Sequence, residues 1–131
     1  MIFVDSNIPM YLVGAAHPNK DAARQALERC ISRGERMVTS AEVMQEVLHR
    51  YHALRRHDAI QPALDALLGV VDEVYPIEAA DVQRARDVMM GLARLSARDA
   101  LHVAIMQRRE IPRVMSFDAG FDVVGWLERV S

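Results

Sequence analysis

A chain of 131 residues has room for one domain with a single core, and 51 % apolar with 26 % charged residues is a globular composition. A net charge of −2 excludes the overall basic field of a general nucleic-acid binder, although a local patch suffices for such a partner. The single cysteine, Cys30, allows no intramolecular disulfide and fits a reducing compartment.

Residues 2–5 predict a short buried strand, apolar from Ile2 to Val4 and ending on Asp5. A first helix is expected over 8–14, stopping at Gly14. The pairs Ala22/Ala23, Ala26/Leu27 and Cys30/Ile31 predict a second helix, capped by Asn19 and ended by Gly34. Residues 36–40 predict a second strand. It runs into a helix in which Val43, Val47, Tyr51 and Leu54 recur at helical spacing. The next helix starts near Asp58, with Pro62 in its first turn because a proline deeper inside would break it. Residues 73–77 predict a third strand, 78–94 and 96–109 helices, and 113–117 a fourth strand leading to Asp118. Residues 125–131 predict an edge strand.

Short apolar strands alternating with helices predict one α/β domain over 1–131, with a central parallel sheet flanked by helices in three layers. Such sheets bind ligands beyond the carboxyl ends of their strands. The stretch 8–16 lacks the preceding basic residues of a signal peptide and follows Asp5 directly. No run reaches the roughly 18 apolar residues of a membrane span, so the chain is expected to be cytoplasmic, without membrane contact.

Asp5 and Asp118 each follow an apolar strand, and in a parallel sheet both strand ends open on one edge. Asp99 falls in the first turn of the helix that begins at Ser96, and Glu46 in the helix after the second strand. Four acids can therefore ring one cleft, a donor set suited to a hard divalent cation. Each also has a local explanation. Asp5 can cap a helix, Asp99 stands at capping-box spacing from Ser96, Asp118 suits a turn, and Glu46 can pair with Arg50 four residues on. At about 100° per residue, positions 43, 44, 47, 48, 51 and 54 form a stripe from whose centre Glu42 projects roughly 160° and Glu46 roughly 120°. Glu42 also sits three residues after Thr39, where a capping box accounts for it. Glu46 is the better ligand candidate.

The aspartate after the first strand with Ser6 and Asn7, the Ser40-to-Glu46 spacing, the segment SARDALHVA and the segment MSFDAGF occur in that order, and together they resemble the PIN domain over essentially the whole chain. The size resembles the VapC-type toxins of toxin–antitoxin pairs. The resemblance implies a metal-dependent endoribonuclease using Mg2+ or Mn2+, with Asp5, Glu46, Asp99 and Asp118 as the metal-holding catalytic acids. It places Ser6 beside the metal's water or the other carboxylates, and Asp122 as an accessory acid. It also implies a small antitoxin partner, self-association into a homodimer, and products with 5′-phosphate and 3′-hydroxyl ends.

Clustered carboxylates repel an anionic phosphodiester, and bound cations reconcile the two. The expected substrate is RNA, entered at single-stranded or loop segments. Arg98 and Arg50 adjoin the acids and are candidate phosphate contacts, with local pairing as the alternative. The five histidines have no zinc-motif spacing, so His102 is expected to be a packing residue, as are Met89, Met90 and Met106. A receiver-like domain would place a lysine late in the chain, whereas the last lysine is Lys20. An RNA-processing nuclease and a non-cleaving binding module are the other readings of the same residues.

Overall fold

Ile2, Phe3 and Val4 are wholly buried, and the strand they form lies at the centre of the sheet. The computed structural model describes all 131 residues. In chain order its elements are β1 (Ile2–Val4), α1 (Asn7–Val13), α2 (Pro18–Ser32), β2 (Met37–Ser40), α3 (Ala41–Ala53), α4 (Ile60–Leu68), β3 (Glu73–Tyr75), α5 (Ala79–Gly91), α6 (Ala97–Arg108), β4 (Arg113–Met115) and β5 (Glu128–Val130). Single 3-10 turns span His57–Ala59 and Ala119–Val123. The five strands are parallel in the order β3-β2-β1-β4-β5, with Ile2 opposite both Met37 and Arg113.

From β1 the chain steps outward through β2 to β3, then returns past β1 to β4 and β5. The reversal lies between β1 and β4, where a parallel sheet opens a crevice beyond its strand ends. Helices α1, α2 and α4 pack together on one face and α5 against α6 on the other, as right-handed crossovers require. This is a three-layer α/β/α sandwich. Its main core takes residues from every strand except β5, together with Ala23, Ala26, Leu27 and Cys30 of α2 and Val103 to Met106 of α6. Each large apolar side chain buried there contributes about 1.5–3 kcal/mol. No helix is long and apolar enough to cross a membrane.

Several local expectations need correction. The cap of α2 is His17, whose Nδ1 accepts the Asn19 N–H at 3.0 Å, so Asn19 is already inside the helix. Pro18 at the first helical position needs no amide partner, which favours this earlier start. Gly34 does end α2, in the left-handed conformation at φ 65°. Strand β3 stops at Tyr75 before Pro76, and β4 stops at Met115, although the Ser116 N–H still donates to the Val130 carbonyl at 3.0 Å. On α3 the buried face is Val43, Glu46, Val47 and Tyr51, whereas Leu48 and Leu54 are exposed. Glu46 therefore lies within the buried face, not at its border. Met89 and Met90 are exposed, and only Met106 of the three methionines is core.

At the opposite end of the sheet Arg113 pairs with Glu35 and, at 3.5 Å, with Glu128. The Arg113 hydrogen bond holds the Glu35 carboxyl below its ordinary range, against a smaller opposing effect of burial. A depressed carboxylate stabilises the fold above its unfolded pKa, and that contribution is lost as pH falls through the folded value. Glu35→Gln is expected to lower stability by about 1 kcal/mol at pH 6. The difference from the unsubstituted protein should vanish on acidification below the ordinary glutamate range, as read from urea midpoints over a pH series.

Candidate active site

Asp5 continues β1 by one residue. Its N–H donates to the Met115 carbonyl at 3.1 Å, which locks it beside the end of β4. Its carboxylate is buried and held on both oxygens: Oδ1 accepts the Ser6 N–H at 2.8 Å and Oδ2 accepts the Ser116 hydroxyl at 2.6 Å. Burial raises its pKa and the Glu46 charge adds to this, while His102 and the Ser116 bond oppose it; the net direction is upward.

Glu46 reaches the same point from α3. Its Oε1 lies 3.4 Å from His102 Nε2 and its Oε2 lies 3.5 Å from Arg98 Nη1, with the Ser6 side chain also facing the carboxylate. Burial alone would raise its pKa. His102, Ser6 and Arg98 together outweigh that and lower it. Arg98 also meets Glu42 at 3.5 Å, so Glu42 joins the rim of this cluster. The cap of α3 is Ser40, not Thr39, and the expected capping box is absent. Nor does Glu46 pair with Arg50: its basic partners come from α6.

His102 is fully buried, one turn after Asp99 on α6, with its Nε2 3.9 Å from Asp5 Oδ1. Burial disfavours its charged form, yet Glu46, Asp5 and Asp99 carry its pKa above the ordinary value. Its Nδ1 has no partner. A packing residue by sequence, it stands among the acids by position.

The backbone N–H of Asp99 donates to Ser96 Oγ at 3.1 Å, so the local capping role is real. The side chain is nevertheless part of the acidic group. Burial, the Asp5 charge and neighbouring Asp118 push its pKa up to about 7, with His102 opposing. Asp118 is exposed, and its Oδ1 accepts the Gly120 N–H at 2.8 Å, closing a turn. A side chain at Gly120 would place its Cβ 3.0 Å from that oxygen, so glycine allows the close approach. Both the turn and the proximity to Asp99 hold at once.

Ser116 and Asn7 tie β1 to β4 around these acids. Ser116 Oγ donates to Asp5 and accepts from the Asp118 N–H at 3.0 Å and from Asn7 Nδ2 at 3.1 Å. Asn7 Oδ1 accepts the Phe117 N–H at 3.3 Å, so Asn7 clamps the two strand ends together. Ser116→Ala removes three bonds at a buried position and is expected to cost about 1–3 kcal/mol in chemical denaturation. Asp122 stands apart from the acids in a two-bond pair with Arg129, at 2.8 and 3.1 Å. Arg50, one turn beyond Glu46, has no ionic partner and lines a groove next to Asn7.

Asp5, Glu46 and His102 each offer a ligand atom, all within 4.8 Å of one another. Two carboxylates with Asp99 and Asp118 alongside form the oxygen-rich set that hard divalent cations take. Burial and the neighbouring carboxylates that raise the Asp99 pKa are conditions that a bound cation would relieve. The residues present fit a divalent metal ion.

The fold and this strand-end cluster define a class, and the sequence model of the PIN domain matches residues 2–127; the chain belongs to the PIN domain family. Over all 131 residues of both chains it is 59 % identical to the VapC ribonuclease Mb1869c of Mycobacterium bovis and to ribonuclease VapC13 of Mycobacterium tuberculosis. It is 45 % identical over 118 residues to ribonuclease VapC23 of M. tuberculosis, covering 90 % of this chain and 93 % of that one. Among solved structures, M. tuberculosis VapC20, described as a sarcin-ricin loop cleaving toxin, superposes with a TM-score of 0.80 at 24 % identity over the whole of both chains. The VapBC2 complex of Rickettsia felis bound to a promoter DNA fragment matches at a TM-score of 0.74 and 16 % identity, over 98 % of this chain and 97 % of that one.

Proposed function

We propose that the protein is a metal-dependent endoribonuclease that hydrolyses RNA phosphodiester bonds, and that it is the toxin of a toxin–antitoxin pair. One observation carries the reading: carboxylates from four separate segments gather at the carboxyl edge of the sheet, at its topological reversal. The relatives named ribonucleases at 59 % identity over full length support it. Mg2+ or Mn2+ suits the donor set, with Asp5, Glu46, Asp99 and Asp118 as the metal-holding acids.

When bound, the cation offsets charge on the phosphate and lowers the pKa of the attacking water. The protein's own part is to hold the acids ready. Ser116 and the Ser6 backbone orient Asp5, and His102 and Arg98 keep Glu46 ionised. Asp99, whose carboxyl burial and the Asp5 charge raise to about 7, would give up its proton where it held a cation. Arg98 is engaged with Glu42 and Glu46, which leaves Arg50 the freer of the two arginines to meet a phosphate. Single-stranded RNA suits an open edge of this kind. The VapBC complexes among the structural neighbours support a small antitoxin as partner. Exposed Val82 and Met90 on α5 offer an apolar contact for a homodimer.

Purified protein is expected to cleave single-stranded RNA with Mg2+ or Mn2+, to stop in EDTA, and to resume when the metal is restored. Cleavage that persists in EDTA would overturn the metal dependence, and none under any condition would overturn the nuclease. Growth arrest on expression, relieved by the product of an adjoining short reading frame, tests the toxin role.

A further inference from the structure

Beside the acidic edge lies a groove of about 370 Å3 between α1, the turn that follows it, and α3. Its two ends are chemically distinct. At the near end stands Asn7, whose Nδ2 is 3.4 Å from Asp5 Oδ2, so the groove opens directly from the acids. Along its wall Tyr11 packs against His17, ring centres 4.9 Å apart, and takes Phe117 edge-on at 5.3 Å. Tyr51, from the small core cluster under α3, is also part of the lining.

The rim is fixed. Lys20 Nζ donates to the Gly14 carbonyl at 2.9 Å, and His17 Nδ1 is occupied by the Asn19 N–H. With Nδ1 accepting, the His17 ring donates through Nε2, which has no partner. Arg50 brings the one unpaired cation to this lining. It follows Glu46 by four residues on α3, about 6 Å along the helix axis, so the groove's cation stands on the helix that supplies one of the acids.

Aromatic side chains with an uncommitted arginine are the means by which proteins hold unpaired bases and their phosphates. We propose that this groove is a nucleotide subsite of the same active site: an unpaired base of the RNA stands against the Tyr11–His17 wall, and the adjoining phosphate takes Arg50. The inference rests on the ribonuclease reading and adds to it where base selectivity resides. An apolar peptide segment would fit the wall but leave Arg50 unanswered, so a nucleotide is the occupant that satisfies both.

The test uses the full chain in two assays. In EDTA, AMP, GMP, CMP and UMP are titrated while the ring resonances of Tyr11 and His17 are followed by NMR. At least one nucleotide is expected to shift both rings, and Arg50→Gln and Tyr11→Leu should weaken that response about tenfold. On single-stranded RNA with divalent metal, each variant should raise KM about tenfold at nearly constant kcat and flatten the preference for one base beside the cut. Arg50 is exposed, so its variant separates a lost contact from a lost fold. Silent rings with an unchanged KM in both variants overturn the subsite, even where Asp99→Asn proves the nuclease. Weakened binding of a protein partner with KM for RNA unchanged overturns it in favour of a protein occupant. Absence of cleavage by the unsubstituted protein overturns the ribonuclease reading itself, independently of the NMR assay.

Discussion

Asp99→Asn is expected to reduce RNA cleavage by at least about 10^2–10^3-fold while the circular dichroism spectrum stays unchanged. The asparagine fits the same space and leaves the backbone bond to Ser96 in place, but it removes a carboxylate proposed to hold the cation. The pH behaviour follows from the position of Asp99 in the cluster, where burial and the charges of Asp5 and Asp118 push its carboxyl to about 7. On the proposed reading a metal held by Asp99 displaces that proton, so affinity for Mn2+ should fall as pH drops below about 7 and level off above it. Calorimetry at pH 7 in buffers of different ionisation enthalpy should register proton release, and the variant should lose that component. The sign for folding is the reverse. A carboxyl raised above its unfolded value destabilises the metal-free fold as pH climbs from the ordinary aspartate range past 7. Asp99→Asn should therefore raise Tm at pH 8 in EDTA while it removes activity, the trade expected of a site built from like charges. Unchanged cleavage in the variant would remove Asp99 from the site.

Asp81→Ala is expected to cost about 3 kcal/mol and about 10 °C in Tm, a large effect on stability for a residue far from the acids in role. Asp81 has no exposed surface. Its Oδ2 accepts the Glu78 N–H at 2.9 Å, completing a capping box at the start of α5, and also Arg108 Nη2 at 3.0 Å. Arg108 Nε stands 2.7 Å from Oδ1, a close ionic contact that is off hydrogen-bond alignment. Truncation leaves a half-buried guanidinium facing a cavity and uncaps α5, which packs on α6, the helix that carries Asp99 and His102. Double substitution with Arg108→Leu should recover much of the loss, because removing both charges costs less than stranding one. Denaturation of the single and double variants reads this directly. A single-variant loss below 1 kcal/mol would mean that Arg108 is satisfied by Glu78 alone.

The order of elements was legible because its signals are local. Ile2 to Val4 read as a buried strand, and Gly34 read as a helix end because it alone there takes a left-handed conformation. The acids at strand ends were legible for the same reason: Asp5 and Asp118 follow their strands in sequence, and in a parallel sheet that places both on one edge. Faces of helices were read less well. The apolar stripe of α3 at 43, 44, 47, 48, 51 and 54 includes Leu48 and Leu54, which are exposed, because an apolar side chain on a surface costs little and so its type does not reveal its side.

What the sequence by itself determined is the placement of Asp5 and Asp118, since covalent adjacency to a strand end is enough to put an acid on the carboxyl edge of the sheet. What only the tertiary structure decided is the company each acid keeps. His102 meets Glu46 across 56 positions and Ser116 meets Asp5 across 111. Arg98, not neighbouring Arg50, became the partner of Glu46, and Arg50 was left free. Spacing along a helix fixes which residues share a turn, but the parallel pairing of β1 with β4 and the contact of α3 with α6 select which distant groups touch. Those contacts set the protonation of Glu46, Asp99 and His102, and with it the charge the site presents.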